Sequence, residues 1–104
     1  MRRKLGRTVR KRNDPVIRLN LWVAGRVQGV GFRWWTRTHA LELGLVGVAK
    51  NLPDGRVAVV AEGERQACER LRDAIRAGES PGSVAEVVEQ WCDARGGLQG
   101  FREA

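Results

Sequence analysis

The chain has 104 residues, a formal net charge of +7 and an apolar content of 42%. This length corresponds to one small domain that can bury its own core. No apolar run approaches the roughly 20 residues of a membrane span, so a membrane partner is not expected. Residues 1–14 carry seven Lys or Arg and one Asp (+6), whereas residues 15–104 carry twelve Lys or Arg against eleven acids (+1). The sequence therefore predicts a basic, disordered extension over 1–14 and a nearly neutral domain over 15–104.

The uneven distribution of charge along the chain bears on whether the domain binds nucleic acid. A solvated extension is the favoured interpretation of residues 1–14. The alternatives are an arm that binds nucleic acid or an anionic surface weakly, and a transit-like segment. No apolar segment of a secretory signal follows the charges. Cys68 and Cys92 have no metal-ligand spacing and lie in apolar-periodic segments, which favours two buried thiols in a reducing cytoplasm. The sequence leaves a disulfide between them open.

The first half of the domain predicts a strand and a helix. Residues 16–27 alternate as a half-buried strand does, and residues 32–43 have the apolar spacing of a helix that ends before Gly44. The apolar face of the strand consists of Ile17, Leu19, Leu21 and Val23. The apolar stripe of the helix consists of Phe32, Thr36, Ala40 and Leu43, with Trp35 beside it.

The second half predicts a hairpin, a second helix and a further strand. Strands over 46–51 and 56–62 are joined by a Leu-Pro-Asp-Gly turn, and residues 64–77 form an amphipathic helix. Residues 84–92 form a strand whose apolar phase slips near Val87 and Val88, which suggests a bulge. Phe101 is the candidate for a short fifth strand. The order β-α-β-β-α-β predicts an α+β, ferredoxin-like sandwich: an antiparallel sheet with both helices on one face.

The fold by itself does not decide the function, but one loop indicates chemistry. Residues 25–33 read Gly-Arg-Val-Gln-Gly-Val-Gly-Phe-Arg, between the first strand and the first helix. Glycines permit positive φ angles, and a helix N-terminus presents free N–H groups and the positive end of the dipole. The guanidinium of Arg33 suits two oxygens of one phosphate. The loop is therefore predicted to hold a phosphate group.

This nonapeptide resembles the signature of the acylphosphatase family. A second family signature, a glycine, a short strand and then Asn-x-x-Asp-Gly, is matched by residues 47–55, and the resemblance extends over residues 16–103. The chain departs from the second signature at Val48, where an aromatic residue is usual, and at Ala49, where a larger β-branched residue is usual. Neither side chain reacts in the family, so these departures concern local packing.

The resemblance implies hydrolysis of small acyl phosphates to a carboxylate and inorganic phosphate, without a metal or another cofactor. By position, Arg33 would bind the substrate phosphate and Asn51 would orient the attacking water. The main-chain amides that would share the phosphate are those of Gln28, Gly29, Val30, Gly31 and Phe32. A carboxylate leaving group with a pKa of about 4 needs no general acid. Since the sequence has no Cys, His or pair of carboxylates near the loop that would form a covalent intermediate, direct attack by water is expected. A monomer is expected.

Other residues have structural interpretations, and other functions have weaker support. His39, Arg26 and Arg37 are interpreted as ordinary side chains, and the four tryptophans as core or groove packing. An RNA-recognition sheet would display aromatic residues on its central strands, but residues 56–62 contain none. A related domain that binds phosphate or a protein partner without turnover remains the third hypothesis.

Overall fold

The computed structural model describes residues 16–104, and the predicted extension over 1–14 lies outside this range. The chain forms β1 (Val16–Arg26), α1 (Phe32–Glu42), β2 (Val46–Asn51), β3 (Val57–Glu64), α2 (Arg65–Arg76), β4 (Ser83–Asp93) and β5 (Phe101–Glu103). This order confirms the predicted ferredoxin-like α+β fold and its short fifth strand. Neither helix within residues 16–104 is long and apolar enough to cross a membrane.

The sheet is mixed, whereas the sequence predicted an antiparallel one. Its strand order is β4-β1-β3-β2-β5, and the first four strands in this order pair antiparallel. β5 pairs parallel with β2. The reason is geometric: the chain leaves β4 at one edge of the sheet, crosses to the opposite edge at the same end, and enters β5 in the direction of β2.

The core lies between one face of the sheet and the two helices. The alternation predicted for β1 is confirmed, because Leu19, Leu21 and Val23 are fully buried. The stripe predicted for α1 faces the core, because Phe32, Thr36 and Ala40 are buried. The helix α2 is amphipathic as predicted, and its buried residues are Cys68, Leu71, Ala74 and Ile75. Burial of this apolar area is the main favourable term for the fold.

The predicted irregularity in β4 exists, but two residues earlier than expected. Ala24 pairs with Glu86 and Gly25 pairs with Val84, so Ala85 is the extra residue of a bulge. The exposed pair Ala85 and Glu86 breaks the alternation there, while the strand continues regularly past Val88. Since the bulge lies opposite Gly25, it re-aims the chain beside the glycine-rich loop.

A buried carboxylate fastens the segment that leads into β5. Glu62 is 4% exposed and accepts hydrogen bonds from the Nε of Arg18 at 2.6 Å and from the main-chain N–H groups of Arg95 (2.9 Å) and Gly96 (3.2 Å). Burial opposes its ionisation, but these donors together hold the pKa of Glu62 below its ordinary value. This anchor directs the chain towards β5, which carries residue 104 to the end of β2.

Candidate active site

The loop between β1 and α1 has backbone angles that residues with side chains avoid. Gly29 has a φ of 76° and Gly31 a φ of 91°. Gly31 is the N-cap of α1 in the left-handed conformation, no side chain caps the helix, and its first turn contains no acidic residue. The N-terminal N–H groups of α1 and the positive end of its dipole are therefore available to an anion.

Two other glycines let the chain before β4 pack against this loop. A Cβ on Gly25, at the end of β1, would overlap the carbonyl oxygen of Ser83. A Cβ on Gly82 would overlap the carbonyl oxygen of Arg26. The backbones are in direct contact at both places, and this contact fixes where the loop leaves the sheet.

The side chain of Gln28 joins the loop to the β2–β3 turn. Its Nε2 donates to the carbonyl oxygens of Leu52 at 2.8 Å and of Arg56 at 3.0 Å. The turn is closed by Asp54, whose carboxylate accepts the main-chain N–H of Arg56 at 3.0 Å, and this hydrogen bond holds the pKa of Asp54 below its ordinary value. Because the turn directly follows Asn51, Gln28 links the predicted phosphate loop to the predicted water-binding residue.

Arg33 lies in the first turn of α1, and its side chain is half-buried. Its Nη1 donates to the main-chain oxygen of Ala104 at 2.6 Å. A guanidinium has five N–H donors, so this hydrogen bond uses one of them. The contact holds the side chain beside the loop and leaves further donors for a ligand.

Asn51 is the last residue of β2, and it meets the same acceptor. Its main-chain N–H donates to the oxygen of Ala104 at 3.0 Å, and the N–H of Ala104 donates to the carbonyl of Ala49 at 2.8 Å. The side-chain oxygen of Asn51, Oδ1, is buried and has no hydrogen-bond partner among the described residues. A buried acceptor without a protein donor is uncommon in folded proteins and is suited to a donor that the protein does not supply.

A small pocket of about 80 Å³ lies at the N-terminus of α1. Four of the predicted site residues line it, namely Gly29, Gly31, Phe32 and Arg33, together with Val27, Trp34 and Glu103. Gln28, Val30 and Asn51 do not line it. The structure thus brings four predicted residues to the pocket wall, and the main chain of Asn51 is connected to Arg33 through the oxygen of Ala104.

Three residues at the pocket or in its hydrogen bonds were not predicted from the sequence, namely Trp34, Glu103 and Ala104. Trp34 is 59% exposed, so the expectation that all four tryptophans pack in the core or a groove is wrong at this position. Its position off the apolar stripe of α1 could have indicated this exposure. Ala104 and Glu103 reach the site through β5, and only the pairing of β5 with β2 indicates this. Nothing in the sequence indicates that Gln28 uses its side chain to hold the β2–β3 turn, in addition to its predicted main-chain amide.

The remaining candidate residues lie elsewhere. His39 stacks on Trp35 with ring centroids 4.4 Å apart and lines a separate groove of about 440 Å³ between the helices. The Nε of Arg37 donates to the carbonyl of Phe101 at 3.0 Å, which secures β5. Within residues 16–104, no three His, Cys, Asp or Glu side chains are grouped so that they would hold a metal ion.

Comparisons with known proteins agree with this geometry. The family model described as Acylphosphatase matches residues 19–103. An acylphosphatase of Thermobifida fusca (strain YX) is 63% identical over 87 residues, which cover 84% of this chain and 96% of the relative. The structure of an acylphosphatase from Coxiella burnetii superimposes with a TM-score of 0.80 at 33% identity, covering 90% of this chain and 97% of that chain.

The crystal structure of acylphosphatase from Bacillus subtilis is also similar, with a TM-score of 0.79 at 30% identity over 85% of this chain and 98% of that chain. The agreement therefore covers the sequence, the fold and nearly the full length of these relatives. This chain belongs to the acylphosphatase family, and it is a hydrolase that acts on small acyl phosphates.

Proposed function

We propose that this enzyme hydrolyses the carboxyl–phosphate bond by direct attack of a water that Asn51 holds, on a phosphoryl group bound by Arg33 and the loop amides, without a metal ion. One observation supports this most strongly. The Arg33 side chain and the Asn51 main chain both donate to the oxygen of Ala104, so the two residues meet at one acceptor beside the start of α1.

Phosphate binding follows from the loop and the helix. Residues 28–32 form the loop that leads into the N-terminus of α1, where no acidic side chain of the first turn competes with an anion. Arg33 adds charge-assisted hydrogen bonds, which are shorter and stronger than neutral ones. The pocket of about 80 Å³ has the size of a phosphoryl group. Pockets that enclose a whole small molecule are usually about 300–1,000 Å³.

Water binding is assigned to the side-chain amide of Asn51. Its Oδ1 has no donor among residues 16–104, and a carbonyl oxygen accepts a hydrogen bond from water well. The main-chain hydrogen bond to Ala104 and the turn held by Gln28 keep this residue in place on both sides. Fixing a nucleophile in this way lowers the entropic part of the barrier.

The reaction then needs no covalent intermediate. The water oxygen bonds to phosphorus, the bond from phosphorus to the acyl oxygen breaks, and its electron pair leaves on the carboxylate. A water proton passes to the phosphate or to solvent. The leaving carboxylate has a pKa of about 4 in water, so it departs without a general acid, and the fixed donors stabilise the charge on the phosphoryl oxygens.

We also infer that the enzyme works as a cytoplasmic monomer and does not depend on nucleic acid. Both cysteines are free thiols, and burial raises the pKa of the Cys68 thiol to about 11, which suits a reducing compartment. Size-exclusion chromatography with light scattering tests the monomer, and a dimer would contradict it.

The central experiment measures hydrolysis of acetyl phosphate and benzoyl phosphate with and without a chelator. Turnover that survives the chelator is expected. Loss of turnover in the chelator, with recovery on addition of a divalent ion, would overturn the metal-independent mechanism. Phosphate binding without any turnover would instead support the non-catalytic hypothesis.

A further inference from the structure

We propose that Trp34 and Glu103 form an acyl-group subsite at the mouth of the phosphate pocket, which selects acyl phosphates with an uncharged aromatic acyl group. This inference rests on the proposed function, because it requires the phosphoryl group to lie on the loop amides beside Arg33. The subsite would contact the acyl group of the substrate, which those amides do not recognise.

The size of the pocket directs the acyl group outwards. A volume of about 80 Å³ is well below the 300–1,000 Å³ of pockets that enclose a whole small ligand. With the phosphoryl group inside, the acyl group therefore extends past the rim. Among the lining residues with large or charged side chains, Phe32 is buried, whereas Trp34 and Glu103 are exposed. We therefore assign Trp34 and Glu103, beside Arg33, to the rim.

Trp34 offers an aromatic surface at this rim. It directly follows Arg33 on α1, and 59% of its surface is exposed. Its neighbours in the sequence have other tasks: Phe32 is buried in the core, and Trp35 stacks on His39. An aromatic acyl group gains from an offset or edge-to-face contact with such a ring, whereas a methyl group gains little.

Glu103 places a negative charge on the same rim. Phe101 points into the core and Glu103, two residues later on β5, lies on the same side of the strand. The side chain therefore faces α1 and lines the pocket. No ion pair within residues 16–104 neutralises Glu103, so its carboxylate repels an acyl group that carries a carboxylate of its own.

The test of Trp34 compares kcat/KM for benzoyl phosphate with kcat/KM for acetyl phosphate. Trp34→Ala is expected to lower the ratio of benzoyl to acetyl about three- to tenfold, and Trp34→Phe to restore most of it. Leu41→Ala is the matched control, because Leu41 is an exposed apolar residue (42%) two turns further along the same face of α1. It is expected to leave the ratio unchanged.

The test of Glu103 uses 4-carboxybenzoyl phosphate, which adds one charge to the same ring. The wild-type enzyme is expected to prefer benzoyl phosphate, and Glu103→Gln to reduce this preference at least about threefold. High ionic strength is expected to weaken the wild-type preference as well. Glu42→Gln, an exposed acid at the far end of α1, is the control that leaves it unchanged.

The outcomes separate this subsite from the proposed function. A benzoyl-to-acetyl ratio that Trp34→Ala leaves unchanged, while the wild type hydrolyses both compounds, would overturn the subsite alone. An equal loss of kcat/KM for both compounds in Trp34→Ala would also overturn the subsite, because it would indicate general damage to the site. If the wild type hydrolyses neither compound, the proposed function fails, and the subsite fails with it.

Discussion

Arg33 and Asn51 share one hydrogen-bond acceptor: the Nη1 of Arg33 lies 2.6 Å and the main-chain nitrogen of Asn51 lies 3.0 Å from the oxygen of Ala104. One residue belongs to the first turn of α1 and the other to the end of β2. The oxygen between them comes from the end of β5. The pairing of β5 with β2 thus brings the guanidinium of Arg33 and the main chain of Asn51 to one acceptor.

Replacement of Arg33 by alanine is expected to lower kcat/KM for acetyl phosphate about a hundredfold or more, chiefly through KM. The loss follows from removal of charge-assisted hydrogen bonds to the phosphate. Steady-state kinetics measures it, with Arg70→Ala, an exposed arginine on α2, as the control for loss of one positive charge. An Arg33→Ala enzyme with more than half of the wild-type kcat/KM would contradict the assignment.

Replacement of Asn51 by alanine is expected to lower kcat about a hundredfold while KM changes less than about threefold, because the variant loses the water contact but keeps the phosphate site. The melting temperature is expected to change little. Alanine retains the main-chain N–H that donates to Ala104, and the lost Oδ1 has no partner in the part of the chain that the structure describes. A near wild-type kcat in the folded variant would show that another group holds the water.

Replacement of Gln28 by alanine removes both hydrogen bonds to the β2–β3 turn. We expect a loss of about 1–2 kcal/mol in stability, because each hydrogen bond contributes about 1 kcal/mol, and a fall in kcat of about tenfold as Asn51 moves. A double-mutant cycle separates the two effects. In the Asn51→Ala background, Gln28→Ala should still destabilise the protein but cost little further kcat. Additive losses in kcat would refute the positioning role.

Replacement of Gly25 by alanine is expected to destabilise the protein by about 2–4 kcal/mol in urea denaturation. The residue has a φ of 135°, and an added Cβ would overlap the carbonyl of Ser83. Gly55→Ala is the matched control: its φ is also positive, at 95°, but nothing lies within 4 Å of the added Cβ. The control should cost only about 1 kcal/mol. Equal losses at both positions would mean that the contact with Ser83 is unimportant.

The stability of the protein should depend on acid through Glu89. This carboxylate accepts hydrogen bonds from the Nε1 of Trp91 (2.9 Å), Arg76 (2.9 Å) and Arg72 (3.2 Å), which lower its pKa from 4.5 to about 2, Trp91 most of all. Because the pKa is depressed in the folded state, the stabilisation is complete above about pH 4.5 and is lost as the pH falls towards 2.

Glu89→Gln tests this dependence. At pH 7 the variant should be less stable by about 1–2 kcal/mol, a value reduced by solvent screening of the partly exposed pairs. The difference should shrink as the pH falls through the range from about 4.5 to 2. Thermal denaturation at several pH values measures it, and a constant difference across this range would contradict the prediction.

The sequence predicted those features that depend on neighbours along the chain. Residues with alternating polarity define β1 because successive side chains of a strand point to opposite faces, and Leu19 and Leu21 are buried accordingly. The break near Val87 and Val88 was predicted at the wrong place. The pattern shows that the apolar phase slips, but the extra residue, Ala85, is identified only by its pairing with β1.

For the proposed site, the sequence by itself determined the conformation of the glycine-rich loop and the position of Arg33 in the first turn of α1, since glycines with positive φ and a free helix N-terminus are local properties. Only the tertiary structure decided what stands around them. β5 has three residues and pairs parallel with β2, which brings Ala104 between Arg33 and Asn51 and places Glu103 at the pocket rim. Such contacts depend on strand order and register, and no local pattern encodes them because the partners are far apart in the chain.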